Sequence, residues 1–134
     1  MTTFRRRPRH GFTLIELLVV MAIIGILAAV AIPQMLKTPI RAKEAALHED
    51  LFTFRSCIDQ YYADKGHYPS DLQALVADGY MRQVPKDPMT DSADTWQTTP
   101  SEPDPTNPTA QPGIYNVKSG SDRSGLEGSK YAEW

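Results

Sequence analysis

The strongest constraint on the fold is a long apolar run near the N-terminus. Residues 12–36 contain a single charged side chain, that of Glu16. As an α-helix rising about 1.5 Å per residue, this run would be roughly 37 Å long, enough to cross a hydrocarbon core of about 30 Å. The sequence therefore predicts a membrane-compatible helix at residues 12–36.

The remainder of the chain is polar and acidic. From about Ile40 onward the 134-residue chain has few apolar residues, which predicts a small domain with a thin core. The residues after Gly11 carry ten Lys and Arg against sixteen Asp and Glu, a side-chain charge of about −6. This balance argues against nucleic-acid binding. The four other basic residues precede the apolar run, where they indicate orientation in a membrane. They are Arg5, Arg6, Arg7 and Arg9.

Three kinds of segment combine basic residues with an apolar run. One is a secretory signal peptide, cleaved after a small-residue pattern such as residues 29–31. The second is a transmembrane anchor that is not cleaved. The third is an anchor whose leader is removed by a cut that falls before the apolar run. Glu16 favours the third, because a charge inside a membrane helix costs about 2.5–3.5 kcal/mol. A cut after Gly11 would leave the amine of Phe12 one helical turn from Glu16, and pairing would lower the cost of burying both charges.

Residues 11–17 read GFTLIEL, after a basic leader and before an apolar helix. They resemble the cleavage and N-methylation signature of type IV pilin-like proteins. The resemblance implies that a prepilin peptidase cuts after Gly11 and methylates Phe12, and that Glu16 guides subunit docking. It also implies three segments. They are a leader (1–11), a transmembrane and filament-core helix (12–36) and a periplasmic pilin-like head (37–134).

Two prolines interrupt the expected helix. Because proline lacks a backbone N–H, Pro33 and Pro39 predict a kink or local loss of helix near residues 29–40. The resemblance favours a curved helix through Pro33, where an assembled filament could extend. Beyond Pro39, apolar residues at helical spacing predict an amphipathic second half that ends at Gly66. This apolar stripe comprises Ile40, Leu47, Leu51, Phe54, Ile58 and Tyr61.

The remaining patterns predict an α+β head. A short helix begins with Ser70 as its N-cap and ends at Gly79. Strands are expected near residues 95–98, with Trp96 in the core, and at residues 113–117. The five prolines of residues 99–112 indicate an exposed loop, and residues 85–88 indicate a tight turn. The expected architecture is a long N-terminal α-helix packed on a small head with a short helix and a small antiparallel β-sheet.

The order of these elements, with residues 59–80 reading DQYYADKGHYPSDLQALVADGY, resembles the major pseudopilins of type II secretion systems. That family binds calcium in the loop after its second strand, which corresponds here to residues 119–129. Asp122 matches the first acidic ligand, but Ser129 and Lys130 occupy the usual place of the second. Either Glu127 substitutes in a shifted register or the site is lost. Asp122, Glu127 and Ser129 are therefore the candidate ligands of a structural Ca²⁺ ion, and the alternative is a solvated loop closed by Tyr131 and Trp134.

The resemblance implies a structural subunit, not an enzyme, in the bacterial inner membrane with its head in the periplasm. The implied partners are further copies of the chain in a helical homopolymer, minor pseudopilins, an inner-membrane assembly platform and the prepilin peptidase. A type IV pilus subunit is the alternative, although pilins usually carry a C-terminal disulfide and Cys57 is the single cysteine. Cys57 is expected to be a buried, unreactive thiol. A binding protein using residues 99–112 is a third possibility, and no catalytic triad or phosphate loop supports an enzyme.

Overall fold

The computed structural model describes residues 11–103, 105–106, 109 and 111–134. It confirms the α+β class, with one long helix, one short helix and a two-stranded antiparallel sheet. The elements in chain order are α1 (Leu14–Lys65), α2 (Leu72–Ala77), β1 (Gln97–Pro100), β2 (Ile114–Lys118) and a 3₁₀ helix (Tyr131–Glu133). The chain forms two compact units, an N-terminal unit that ends at Thr38 and a head unit, Pro39–Trp134.

The N-terminal unit is helical from Leu14 onward. Its large apolar side chains are exposed, with Leu14 at 84% and Met35 at 74% of full accessibility. Within the described part of this unit nothing covers these side chains, so burial in lipid or against other helices is strongly favourable. By length and composition, α1 contains a stretch that could cross a membrane.

Helix α1 continues through both prolines. The predicted local loss of helix near residues 29–40 is therefore wrong for this structure, while the predicted curvature through Pro33 stays a prediction. Proline is compatible with helical φ, and its cost is the missing N–H. In the turn before Pro39, the Thr38 hydroxyl donates to the carbonyl oxygen of Gln34 at 3.1 Å, a side-chain bond that helices tolerate.

The core of the head unit forms along the predicted stripe of α1. Phe54 meets Trp96 edge-on with ring centroids 5.0 Å apart, and Trp96 is buried as predicted. Ile40 is the exception, because it is 40% exposed and borders an open cleft beside Lys43 and Met89. The buried stripe comprises Leu47, Leu51, Phe54, Ile58 and Tyr61. Leu75, Met89, Ile114, Val117 and Tyr131 complete the core.

The helix ends follow ordinary capping chemistry. Gly66, with φ of +73°, follows α1 as predicted, and its N–H donates to the carbonyl of Tyr62 at 2.8 Å. Helix α2 is capped by Asp71 and not by Ser70. The Asp71 carboxylate accepts the N–H of Ala74 at 2.7 Å, and its charge suits the positive end of the helix. Gly79, with φ of +83°, follows α2 as predicted.

Both strands lie slightly later in the chain than predicted, β1 by two residues and β2 by one at each end. They pair antiparallel, and the register shifts between Thr99 and Pro100, where proline cannot donate a ladder bond. Ile114 and Val117 of β2 enter the core. The predicted loop of residues 99–112 thus loses its first two residues to β1. Four of its residues, Asp104, Asn107, Pro108 and Ala110, lie outside the described residues.

The predicted turn at residues 85–88 is organised by Asp87, which is fully buried. One carboxylate oxygen accepts the N–H of Met89 at 2.8 Å. The other accepts the hydroxyl of Ser119 at 2.6 Å and the N–H of Gly120 at 3.1 Å. These bonds fix the turn to the residues directly after β2, and they compensate the burial of the carboxylate.

Cys57 is half-buried and not fully buried as predicted, and its thiol donates to the carbonyl of Tyr80 at 3.3 Å. Burial raises the pKa of this thiol. Because the thiolate is the reactive form, this environment supports the prediction of an unreactive side chain.

Candidate functional site

The first turn of α1 contains a reciprocal pair of side chains. The backbone N–H and the hydroxyl of Thr13 donate to one oxygen of Glu16 at 3.3 and 3.2 Å. The N–H of Glu16 donates back to the Thr13 hydroxyl oxygen at 3.3 Å. This is the capping-box arrangement, in which an N-cap hydroxyl and an acid three residues later satisfy helix donors reciprocally. The Glu16 carboxylate therefore has polar partners within an otherwise apolar run.

The predicted cleavage position lies just outside the helix. Gly11 and Phe12 precede the first helical residue, and Phe12 is 77% exposed. Among the described residues other than its chain neighbours, no atom lies within 4 Å of where a Cβ at Gly11 would be. The bond between these two residues is thus free of regular structure, as a protease substrate should be. Residues 1–10 of the predicted leader lie outside the described residues, and cleavage and methylation stay predictions.

Thr13 is the residue that the motif analysis missed. The spacing of Thr13 and Glu16 is the Thr-x-x-Glu signal of a capping box, and it was available in the sequence. Pro33 is exposed on α1, well separated along the chain from Thr13 and Glu16. A role of Glu16 and Pro33 in assembly depends on other copies of the chain, and it stays a prediction.

The second candidate site is the loop of residues 119–130, which connects β2 to the 3₁₀ helix. Its distal half is a small hairpin in which Ser124 bridges Lys130. The N–H of Gly125 donates to the carbonyl of Ser129 at 2.7 Å, and the N–H of Tyr131 donates to the carbonyl of Arg123 at 3.1 Å. The N–H of Gly128 donates to the carbonyl of Gly125 at 3.0 Å. These bonds form the distal half of the loop into a hairpin but do not attach it to α1.

Helix α1 holds this loop through Glu44. One oxygen of the Glu44 carboxylate accepts the N–H of Leu126 at 2.8 Å and the phenol of Tyr131 at 2.9 Å. Burial, followed by this hydrogen bond and the charge of Glu44, raises the pKa of Tyr131, while the charge of Arg123 lowers it. The tyrosine therefore stays a neutral donor, and a hydrogen bond to a charged acceptor is stronger than one between neutral groups.

Two further α1 side chains, those of His48 and Arg55, contact Trp134 after the loop. The ring of His48 stacks on Trp134 with centroids 4.3 Å apart and planes 12° from parallel. The Arg55 guanidinium donates to the backbone oxygen of Trp134 at 2.8 Å and to the Asn116 side-chain oxygen at 2.9 Å. We call Glu44, His48 and Arg55 the helix–loop clamp. Tyr131 is buried and Trp134 is half-buried against the core, which is the packing expected under the alternative to the calcium site.

The predicted calcium ligands can be compared with this geometry. Asp122, Glu127 and Ser129 are all exposed, and the Ser129 hydroxyl oxygen accepts the indole N–H of Trp134 at 2.7 Å. In the part of the chain that the structure describes, no three His, Cys, Asp or Glu side chains come together as a metal-binding group. Calcium requires about six to eight oxygen ligands directed at one point. The acidic side chains of this loop do not by themselves supply such a set in this structure.

Comparisons with known proteins agree with the motif at the N-terminus. A family model described as the prokaryotic N-terminal methylation motif matches residues 6–32. The type II secretion system core protein G of Pseudomonas aeruginosa is 37% identical over 100 residues, covering 63% of this chain and 70% of that protein. The corresponding protein of Klebsiella michiganensis is 34% identical over 100 residues, with the same coverage. No solved structure matches the chain. The chain belongs to the family of type II secretion system core protein G.

Proposed function

We propose that this chain is a structural subunit of a type II secretion pseudopilus, matured by a prepilin peptidase and assembled into a periplasmic filament. The observation that carries this proposal is the exposed apolar half of α1, whose first turn contains Glu16 directly after the methylation motif. An isolated helix of this kind leaves a large apolar surface in contact with solvent. Lipid would cover that surface before assembly, and neighbouring helices would cover it in a filament.

Glu16 would determine the register between subunits. After cleavage, the amine of Phe12 carries a positive charge near neutral pH and lies about one helical turn from Glu16. Thr13 holds the carboxylate at the helix start. A neighbouring subunit that brings its amine to this carboxylate gains a charge-assisted hydrogen bond in an apolar surrounding, where such bonds are strong. An unpaired Glu16 would disfavour any other stagger.

The orientation follows from the basic residues before Gly11. Lys and Arg next to a membrane helix favour the cytoplasmic side, so the leader would face the cytoplasm and the head unit would face the periplasm. The proposed partners are the prepilin peptidase, an inner-membrane assembly platform, minor pseudopilins and further copies of this chain. The function is assembly and not catalysis. A type IV pilus subunit is less favoured, because a single cysteine cannot form the disulfide usual in such pilins.

Expression of the full-length chain with its own peptidase, platform and ATPase tests this proposal. We expect filaments that sediment from the periplasmic contents of gently opened cells and that bind an antibody against the head. A Gly11→Leu variant is the matched control, since it should reach the membrane uncut and form none. Deletion in the native organism should abolish secretion of folded proteins. Loss of surface filaments with normal secretion would instead favour a type IV pilus subunit, and absence of any filament would refute assembly.

A further inference from the structure

The loop of residues 119–130 cannot be held in place by apolar burial alone. Its only large apolar side chain, that of Leu126, is 41% exposed. Ordering a loop of this length costs about 1–2 kcal/mol per residue in backbone entropy. Other contacts must therefore hold it. At Ser119 and Gly120 these are hydrogen bonds to Asp87, and at Leu126 the contact is with α1.

The groups that this loop and the adjoining 3₁₀ helix present to Glu44 of α1 are hydrogen-bond donors. They are the backbone N–H of Leu126 and the phenol of Tyr131, which share one oxygen of Glu44. A loop closed on a cation must direct carbonyl and carboxylate oxygens inward, whereas a loop closed on an anion must direct N–H and O–H groups inward. The N–H and O–H groups at Glu44 therefore form the arrangement that closes on an anion.

Gly125 shows how closely the loop fits this carboxylate. A Cβ at this position would lie 3.0 Å from the Glu44 oxygen and 2.9 Å from the Trp134 ring. Only glycine leaves both groups in their places. The close approach of the backbone therefore depends on the same two partners, Glu44 and Trp134, that hold the loop on the helix.

We infer that Glu44 closes this loop in place of a divalent cation, so that the head needs no calcium to order residues 119–131. The candidate ligands Asp122 and Glu127 are exposed, and the described residues place no second and third acid beside Glu44 as a metal-binding group. Asp87 accepts hydrogen bonds from the start of the loop, at Ser119 and Gly120, and the negative charge at the distal half is supplied by Glu44 of α1. This inference does not depend on filament assembly.

Limited proteolysis of the full-length chain in detergent tests the inference, because trypsin can cut this loop after Arg123 and Lys130. Cleavage in a folded protein requires local opening, and its rate reports the open population. For the unaltered chain we expect the same slow cleavage of the loop with added calcium chloride and with chelator. A change of threefold or more between the two conditions would overturn the inference.

Variants distinguish the contribution of the Glu44 carboxylate from that of the candidate calcium ligands. Glu44→Gln keeps the shape but removes the charge, and we expect loop cleavage to accelerate at least tenfold. Tyr131→Phe should accelerate it less, and the double variant should accelerate it by less than the product of the two effects, because both changes disrupt one network. Asp122→Asn and Glu127→Gln should cleave at the unaltered rate.

Two outcomes would contradict the role of Glu44. One is a Glu44→Gln variant that cleaves as slowly as the unaltered chain. The other is faster loop cleavage in the Asp122→Asn variant, with the slow rate restored by added calcium. This result would show that a cation closes the loop. If Glu44→Gln fails to fold, Tyr131→Phe carries the test, because it removes one hydrogen bond from the same oxygen and leaves the charge. Unchanged cleavage in that variant would also overturn the inference.

Discussion

Thr13 and Glu16 close the first turn of α1 on each other, with the Glu16 carboxylate 3.2 Å from the Thr13 hydroxyl and the Glu16 N–H 3.3 Å from that same hydroxyl. The pair gives a charged residue in an apolar helix a local set of donors. In a mature chain that begins at Phe12, the new amine would lie beside this pair. The capping box thus keeps the carboxylate at the place where a neighbouring subunit could reach it.

Replacement of Glu16 should uncouple maturation from assembly. We expect Glu16→Ala to insert into the membrane and to be cut and methylated, because the exposed Gly11–Phe12 bond is unchanged. Filaments should fall at least tenfold, since the partner of the amine is lost. Glu49→Gln, an exposed acid later on α1, is the control. Sedimentation of filaments measures both, and normal filaments from Glu16→Ala would rule out the pairing.

Two phenylalanines within one turn of α1, on roughly opposite faces, test the core of the head. Phe54 is fully buried against Trp96, whereas Phe52 is 71% exposed. Phe54→Ala should destabilise the head by about 3–5 kcal/mol, because it removes buried area and leaves a cavity. Phe52→Ala should change stability by less than about 0.5 kcal/mol. Thermal unfolding of the full-length chain in detergent compares them, and equal effects would mean that the stripe is misplaced.

The buried carboxylate of Asp87 should be a second point of sensitivity. Asp87→Asn replaces one acceptor oxygen by an amide donor, which would face existing donors. We expect a loss of about 1–3 kcal/mol, the usual cost of leaving buried polar groups unsatisfied. Asp94→Asn, at an exposed position, provides the control. Denaturant unfolding with no difference between these variants would contradict the role of Asp87 in joining the turn to β2.

The head should lose stability at strongly alkaline pH. Burial and the hydrogen bond to Glu44 raise the pKa of Tyr131 above its ordinary value of about 10. A raised pKa in the folded state means that the folded chain holds this proton more tightly. The resulting stabilisation is complete below pH 10 and declines as the pH rises through the folded pKa. Tyr131→Phe should therefore flatten the alkaline limb of a stability–pH curve, and an unchanged limb would contradict this assignment.

Structural features that depend only on residues close together in the sequence were predicted best. The stripe from Leu47 to Tyr61 follows from helical periodicity, and Gly66 and Gly79 follow from the conformation needed after a helix end. The cap of α2 was misplaced by one residue, because Ser70 and Asp71 are both good N-caps. The helix also continues through Pro39, where the long flanking segments outweigh one missing hydrogen bond.

The contacts of Glu44 could not be predicted in this way. Its partners Leu126 and Tyr131 lie 82 and 87 residues away along the chain. From its position on α1 beside the apolar stripe, Glu44 would be expected to be a solvent-exposed acid. Asp87 likewise meets Ser119 across 32 residues. Such pairs depend on tertiary packing, for which periodicity and turn chemistry give no signal. The calcium loop stays a prediction, and the partner that residues 126 and 131 contact in this structure, Glu44, lies on another element.

Mass spectrometry of the membrane-bound chain tests the central claim most directly. The expected product begins at Phe12, carries one methyl group on its amine and retains the whole apolar run. It should appear only when an active prepilin peptidase is present, and Gly11→Leu should prevent it. A chain that begins at Ile32, after the small-x-small pattern Ala29-Val30-Ala31, would instead show removal of the run as a signal peptide, and it would contradict the membrane-anchored filament subunit.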